Sequence, residues 1–251
     1  MKNTLWVSKC LCILFLISCE NATISYSTND GVVKEKVEGN GQLSSEERVI
    51  STFNKINIEG VFTVFLSQGD KGSVKVETDE NIQPLILVFV DNEVLYIKMK
   101  DSSSISKMKK INIYIHISDI RKLTTTGVGK LTCINKLNLK QLYLNCKGVG
   151  VTELKIAAKK LVIESEIVGL LNLSGEVKEA DIKHNGLGAI EAFDLKTEKL
   201  KLVTEGIGAV EVYATNELTI DMKGLGGVSY KGNPPIKHIK KEGLGKVESS
   251  D

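Results

Sequence analysis

The chain has 251 residues, with 33 Lys+Arg against 31 Asp+Glu, a net charge of +2 and 42% hydrophobic residues. That is enough apolar material for one or two domains with a real core. Lys and Glu are interspersed rather than blocked, which excludes a nucleic-acid footprint of clustered basic residues, and 5% aromatic content leaves little for stacking platforms.

Residues 1–18 read as a lipoprotein signal peptide. Lys2 and Lys9 supply positive charge, and the apolar run Cys10 to Ile17 is too short to span a bilayer. It ends in Leu16-Ile17-Ser18-Cys19, which resembles a bacterial lipobox. The expected product begins at a diacylated Cys19. Its acyl chains would hold it on a membrane of the cell envelope, expected to be the outer membrane, without spanning it. Residues 19–48 are polar and glycine-containing and read as a flexible tether.

Residues 49–119 are β-rich but irregular. Ile56 and Ile58 alternate before Gly60, and Val64 and Leu66 follow. Val74 and Val76, then Leu95, Ile97 and Met99, then Ile111, Ile113, Ile115 and Ile117 mark further half-buried strands. Residues 79–84 suggest a loop or a short helical turn stopped by Pro84, and residues 100–110 a solvated loop. This part is expected to form the first, irregular coils and to cover one end of the following array.

From residue 120 to 251 a Gly-X-Gly step recurs. It appears at Gly127-Val128-Gly129, Gly148-Val149-Gly150, Gly186-Leu187-Gly188, Gly206-Ile207-Gly208, Gly224-Leu225-Gly226 and Gly243-Leu244-Gly245. A degenerate copy, Ile167-Val168-Gly169, fills the gap, and the first residues of the seven copies are 21, 19, 19, 20, 18 and 19 residues apart. A period this short indicates a stacked array. Counted from the first residue of each step, offset −4 is always apolar (Leu123, Leu144, Ile163, Ile182, Leu202, Ile220, Ile239), as is offset +1. Offsets −6, +4 and +6 are mostly apolar. The spacing of two is strand alternation, and the glycines make corners. The predicted fold is all-β, a parallel β-solenoid (β-helix) of about seven 18–21-residue coils, with −6, −4, +1, +4 and +6 as its apolar columns. Offsets −5, −3 and −2 are expected to face outward.

Candidate chemistry is sparse. Cys133 (+6, inward) and Cys146 (−2, outward) are expected on different faces, hence as two free thiols with no disulfide, and their spacing does not suit zinc. His116, His184 and His238 lack metal-ligand spacing, and no step continues into a phosphate-binding loop. No catalytic residue, metal or cofactor is therefore predicted. The sharper candidates lie in outward columns. Glu191 and Glu211 (+5) would be neighbours on adjacent coils, and Phe193 and Tyr213 (+7) would stack, forming a candidate ligand face.

Several stretches resemble the family known as the "putative auto-transporter adhesin, head GIN domain", a domain of unknown function common in lipoproteins of Gram-negative bacteria. They are Gly39-Asn40-Gly41, Glu46-Glu47-Arg48-Val49, Ile56-Asn57-Ile58, Gln68-Gly69-Asp70, Val74-Lys75-Val76, Leu95-Tyr96-Ile97 and the Gly-X-Gly repeats. The resemblance spans roughly residues 46 to 248 and implies a β-solenoid at the cell envelope, with no catalytic motif to carry over. The expected function is a non-enzymatic adhesin-like binding or scaffold module whose partner is an envelope glycan or protein. The rivals are a carbohydrate-active β-helix enzyme, such as a polysaccharide lyase or hydrolase, and a partner in an envelope signalling system. An enzyme would need convergent carboxylates with a Lys or Arg base on neighbouring coils.

Overall fold

The computed structural model describes residues 35–100, 103–107 and 110–251. The predicted signal peptide, Cys19 and residues 20–34 lie outside the described residues. Stacked parallel strands form a β-solenoid of about six turns. Its rungs are β3 (Lys55–Gln68), β9 (Lys122–Cys133), β10 (Leu137–His184), β11 (Leu187–Thr204), β12 (Ile207–Met222), β13 (Leu225–Lys231), β14 (Ile236–Lys241) and β15 (Gly245–Ser249). Strand β10 is 48 residues long because its ladder continues around the corners without a break.

Register follows the repeat. Leu123 pairs with Leu144, Ile182 with Leu202, Leu202 with Ile220 and Ile220 with Ile239. From Leu123 to Ile220 this column is at most 1% exposed. Like residues stack over like, and each side chain buries the one on the next rung. Full burial of a Leu or Ile stabilises by about 1.5–3 kcal/mol, so columns of this kind are the main source of cohesion.

Two columns differ from expectation. Offset +1, assigned above to the core, points outward: Val149, Val168, Leu187, Ile207 and Leu225 are 44–52% exposed. Offset −2, assigned to the surface, points inward: Cys146, Ser165, His184, Thr204 and Met222 are buried. The cause is the same for both. Strand alternation runs unbroken through the Gly-X-Gly step, so every even offset from −6 to +6 faces in and every odd one faces out. The glycines therefore bend the strand without resetting its phase. At Gly169 and Gly208, φ is +144 and +147, and an added Cβ would fall on the carbonyl oxygen of Gly150 or Gly188 in the rung below. Only glycine allows that approach. The degenerate copy keeps the same phase, with Ile167 buried in the inward position of the missing glycine.

Strand β3 is a further rung. Gly60, Val61 and Phe62 pair with Gly127, Val128 and Gly129, and Ile56 and Val64 pair with Leu123 and Leu131. The same offsets were present in the sequence, but Phe62 replaces the second glycine and 67 residues separate Gly60 from Gly127.

Beyond β3 the array closes. Strands β6 (Val94–Met99) and β8 (Asn112–Ile117) lie parallel to the two halves of β3. Strand β5 (Ile86–Asp91) pairs antiparallel with β6, and β4 (Ser73–Asp79) antiparallel with β8. Strand β2 (Leu43–Arg48) pairs antiparallel with β4, while β1 (Glu35–Glu38) pairs with β7 (Ser103–Ser106). The predicted tether thus gives way to ordered strands from residue 35, and the predicted loop at 100–110 contains β7. The tether reads as unstructured because its β2, Leu-Ser-Ser-Glu-Glu-Arg, has no apolar alternation and lies mostly exposed. Arg48 fastens β2 by donating from Nη2 to Gln83 O at 3.0 Å and to Gln83 Oε1 at 2.7 Å. Glu80–Leu85 forms a 3-10 turn with Pro84 inside it.

Candidate functional site

The outward columns of the Gly-X-Gly face form one continuous surface. At its centre stands the +1 stripe, Val61, Val149, Val168, Leu187, Ile207, Leu225 and Leu244, each at least 44% exposed. Adjacent rungs are ~4.8 Å apart, so Val149 to Leu225 alone spans about 19 Å. Glycine on both sides, except at Val61 and Val168, leaves these side chains standing clear of their chain neighbours. The +3 column beside it adds half-buried Val151, Leu170 and Ala189. An exposed apolar strip of this continuity is unusual on a water-facing surface.

Charged columns flank it. On one side Lys147 pairs with Glu166 at 3.1 Å and Lys223 with Glu205 at 3.4 Å. On the other, offset +5 carries Glu153, Asn172, Glu191, Glu211, Ser229 and Glu248. Asn172, Glu191, Glu211 and Ser229 are successive register partners, as are Ser229 and Glu248. Glu191 and Glu211 are thus neighbours. Asn172 Nδ2 donates to Glu191 Oε2 at 2.9 Å, which separates one carboxylate from plain repulsion. Lys130 Nζ lies 2.9 Å from Glu153 and, with it, holds that carboxyl below its usual range.

The predicted aromatic stack does not form. Register slips between Glu191 and Lys196, so Tyr213 stands beside Lys196 rather than Phe193. Four residues, 192–195, separate those positions in β11, where β12 has one. Phe193 instead lies under the ammonium of Lys231, 4.3 Å from the ring centroid, and Lys231 is the register partner of Tyr213. The stacked pairs among the described residues include Phe65–Tyr114 and Phe89–Tyr96, in the N-terminal part. Of the four residues proposed from sequence, the structure brings Glu191 and Glu211 together and leaves Phe193 and Tyr213 apart. A bulge of three residues has no signature in a column count, because the period re-forms one rung later.

The inward −2 column carries the remaining chemistry. Cys146 and Cys133 are free thiols. Cys146 is buried, contrary to its predicted outward position, and desolvation pushes its thiol up. Burial likewise raises Cys133, against a hydrogen bond donated by the Lys155 backbone N–H to Sγ at 2.9 Å. His184 is 1% exposed, its Nδ1 3.2 Å from Ser165 Oγ and its Nε2 without a partner, and burial lowers its pKa. His116 is exposed as predicted and meets Ser67. Among the described residues, no three His, Cys, Asp or Glu side chains form a metal-binding group.

Residues 52–234 match the family described as "Putative auto-transporter adhesin, head GIN domain". Solved structures share the fold. A "putative adhesin" from Bacteroides fragilis is 27% identical with a TM-score of 0.80, covering 84% of this chain and 99% of its own. A "putative lipid binding protein" from Parabacteroides distasonis is 22% identical with a TM-score of 0.68, covering 86% of this chain and 100% of its own. A "putative adhesin" from Parabacteroides merdae is 21% identical with a TM-score of 0.62, covering 86% of this chain and 99% of its own. No curated protein matches the chain in sequence. Among the described residues no helix is long and apolar enough to cross a membrane.

Proposed function

The chain belongs to the head GIN domain family of adhesin-like proteins, and on that premise we propose that it is a non-enzymatic binding module of the cell envelope, held to the outer membrane by acyl chains on Cys19. The observation that carries the reading is the apolar stripe from Val149 to Leu225, side chains about half exposed at a fixed spacing along the rod. Its partner is a protein surface with an apolar centre and a Lys- or Arg-bearing margin, complementary to Glu191 and Glu211 beside the stripe. Burial of the stripe supplies affinity, and the acidic column supplies orientation and salt dependence.

Two observations support this over an enzyme. The Glu191–Glu211 pair is continued by Asn172 and Ser229 rather than by a Lys or Arg base. The stripe is also open to solvent along its length, whereas catalysis needs a water-excluding cleft.

The test uses the full chain on intact cells. Leu187→Ser with Ile207→Ser should lower cell adhesion to a purified envelope-protein surface about tenfold and leave the circular dichroism spectrum unchanged. Undiminished adhesion rejects the stripe as the binding surface. Cys19→Ala should abolish palmitate labelling and release the protein from the membrane fraction; retained label rejects the anchor. The apolar stripe also suits an acyl surface, and a solved relative is described as a lipid binding protein. Flotation of the Cys19→Ala protein with phosphatidylethanolamine vesicles decides for that reading, and failure to float decides against it.

A further inference from the structure

A concave surface lies around the corner from the stripe. It is an open groove of about 620 Å³ crossing four successive rungs, lined by Ala157 and Ala158, then Glu176 to Lys178, then Lys196 to Glu198, then Thr215 and Asn216. Three rung intervals of ~4.8 Å give it a length near 14 Å, and its volume falls within the range of small-ligand sites. The groove exists because the rungs are unequal here. Register slips between Asn172 and Ser174, between Glu191 and Lys196, and between Thr197 and Lys199. Bulges of this kind re-aim side chains and gather next to sites.

The floor is small and flat: Ala157 and Ala158 are half-buried, and Val177 and Thr197 are buried. The rim carries Glu176, Lys178, Lys196 and Glu198, all exposed. Elsewhere on the rod some charges on adjacent rungs neutralise each other, as in Lys147–Glu166 and Lys199–Glu217, while others, such as the register partners Asp181 and Lys201, form no ion pair among the described residues. In the groove none is neutralised. Glu176 and Lys196 are direct register partners of opposite sign. Yet among the described residues none of the four rim charges enters an ion pair or hydrogen bond.

We propose that this groove binds a neutral glycan. Its rim offers two carboxylates that only accept and two ammonium groups that only donate. A sugar hydroxyl does both, so a row of hydroxyls satisfies both sets at once. Equal numbers of each sign disfavour a ligand with net charge. A peptide fits less well, for two reasons. The backbone of the floor is already paired with the rungs on either side, so no strand can be added to it. The lining also holds no aromatic or large apolar pocket to anchor a side chain. Thr215 Oγ1, half-buried, donates to the Thr197 carbonyl, which leaves its oxygen free to accept. This site is separate from the stripe, and the two can fail independently.

The experiment presents full-length protein to an array of neutral, sialylated, sulfated and amino oligosaccharides, then titrates the best neutral binder by calorimetry. Neutral glycans should bind. Glu198→Gln and Lys178→Gln should each weaken binding about tenfold, as loss of a charged hydrogen-bond partner does. Ala158→Trp, which fills the floor, should abolish it. Leu187→Ser on the stripe should leave it unchanged. Because both rim residues are exposed, their variants are expected to keep the parent melting temperature, which separates loss of the site from loss of the fold. The proposal is overturned by three outcomes: binding to charged glycans alone, no glycan binding at all, or sugar affinity that survives Ala158→Trp. Capture of an unstructured peptide library that Ala158→Trp removes, with no sugar bound, assigns the groove to peptides and overturns it equally.

Discussion

The two ends of the rod are built from similar residues and differ in what lies beyond them. At the N-terminal end, β3 is covered by β6 and β8, and these in turn by antiparallel β5, β4 and β2. There Val74, Val76, Leu95, Ile97, Ile113 and Ile115 are at most 1% exposed. At the C-terminal end, among the described residues, β14 and β15 have a neighbour on one side only, and every residue of β14 is exposed. Ile239 occupies the same column as Ile220, yet the first is 44% exposed and the second 0%. An inward position becomes a core position only when a rung lies on each side of it. An antiparallel cap supplies that cover without repeating the solenoid, which is why the N-terminal part breaks the period. The open end is blunted differently, by Lys237, Lys240, Lys241 and Lys246 on its last strands, since charge on an edge discourages pairing with another chain.

The difference can be tested directly. Truncating the column where it is covered should hurt most. Leu202→Ala is expected to cost about 2–5 kcal/mol, as buried Leu truncations do, while Ile239→Ala should cost about 1 kcal/mol because half of its surface is already wet. Urea unfolding of the two variants measures both, and equal losses would mean that the end rung is packed as tightly as the middle.

Acid should act on the covered rungs before it acts on the ends. His184 is enclosed by Ser165 and Thr204 of adjacent rungs, and Cys146 and the exposed Lys241 are the other titratable groups of its column. Its folded pKa is depressed below 6.5 by burial. The unfolded chain therefore takes up a proton that the folded chain refuses. The contribution is intact above pH 6.5 and falls as the pH drops below it, until the folded imidazole is protonated as well. A pH series of melting curves should show this slope in the parent and lose it in His184→Leu. A slope that persists belongs to another group.

The open end should respond in association rather than in stability. Lys240→Val with Lys241→Thr is expected to change unfolding by no more than about 0.5 kcal/mol but to produce dimers or larger species in sedimentation. A monomer at all concentrations would show that the lysines are not what keeps this edge single. Smallest of all, Lys147→Met should change stability by about 0.5 kcal/mol or less, because its pair with Glu166 is solvent-exposed. A larger loss, seen in the same urea titrations, would mean that the ladder beside the stripe has a structural part.

Much of this was readable from residue order alone. A Gly-X-Gly step near every nineteenth residue and an apolar offset −4 without exception define a stacked array, because only superposed rungs explain columns that stay in phase. Strand alternation by itself also contained the answer that the column count missed. Leu187 is one residue from an inward position and must face out, while Cys146 and His184 lie two residues from buried neighbours and must face in. Treating the glycines as a break in phase reversed these columns and hid the stripe. The residue types at β2 carried no signal, since its partner β4 rather than its own pattern makes it a strand.

Tertiary structure alone decided the rest. Whether Ile239 is core depends on whether a rung lies beyond it, and whether Phe193 meets Tyr213 depends on the length of the neighbouring rung. Local sequence sets which face of a strand a side chain occupies, because alternation is a property of one backbone. What that side chain then touches is a property of two backbones in register, and one bulge in either changes it.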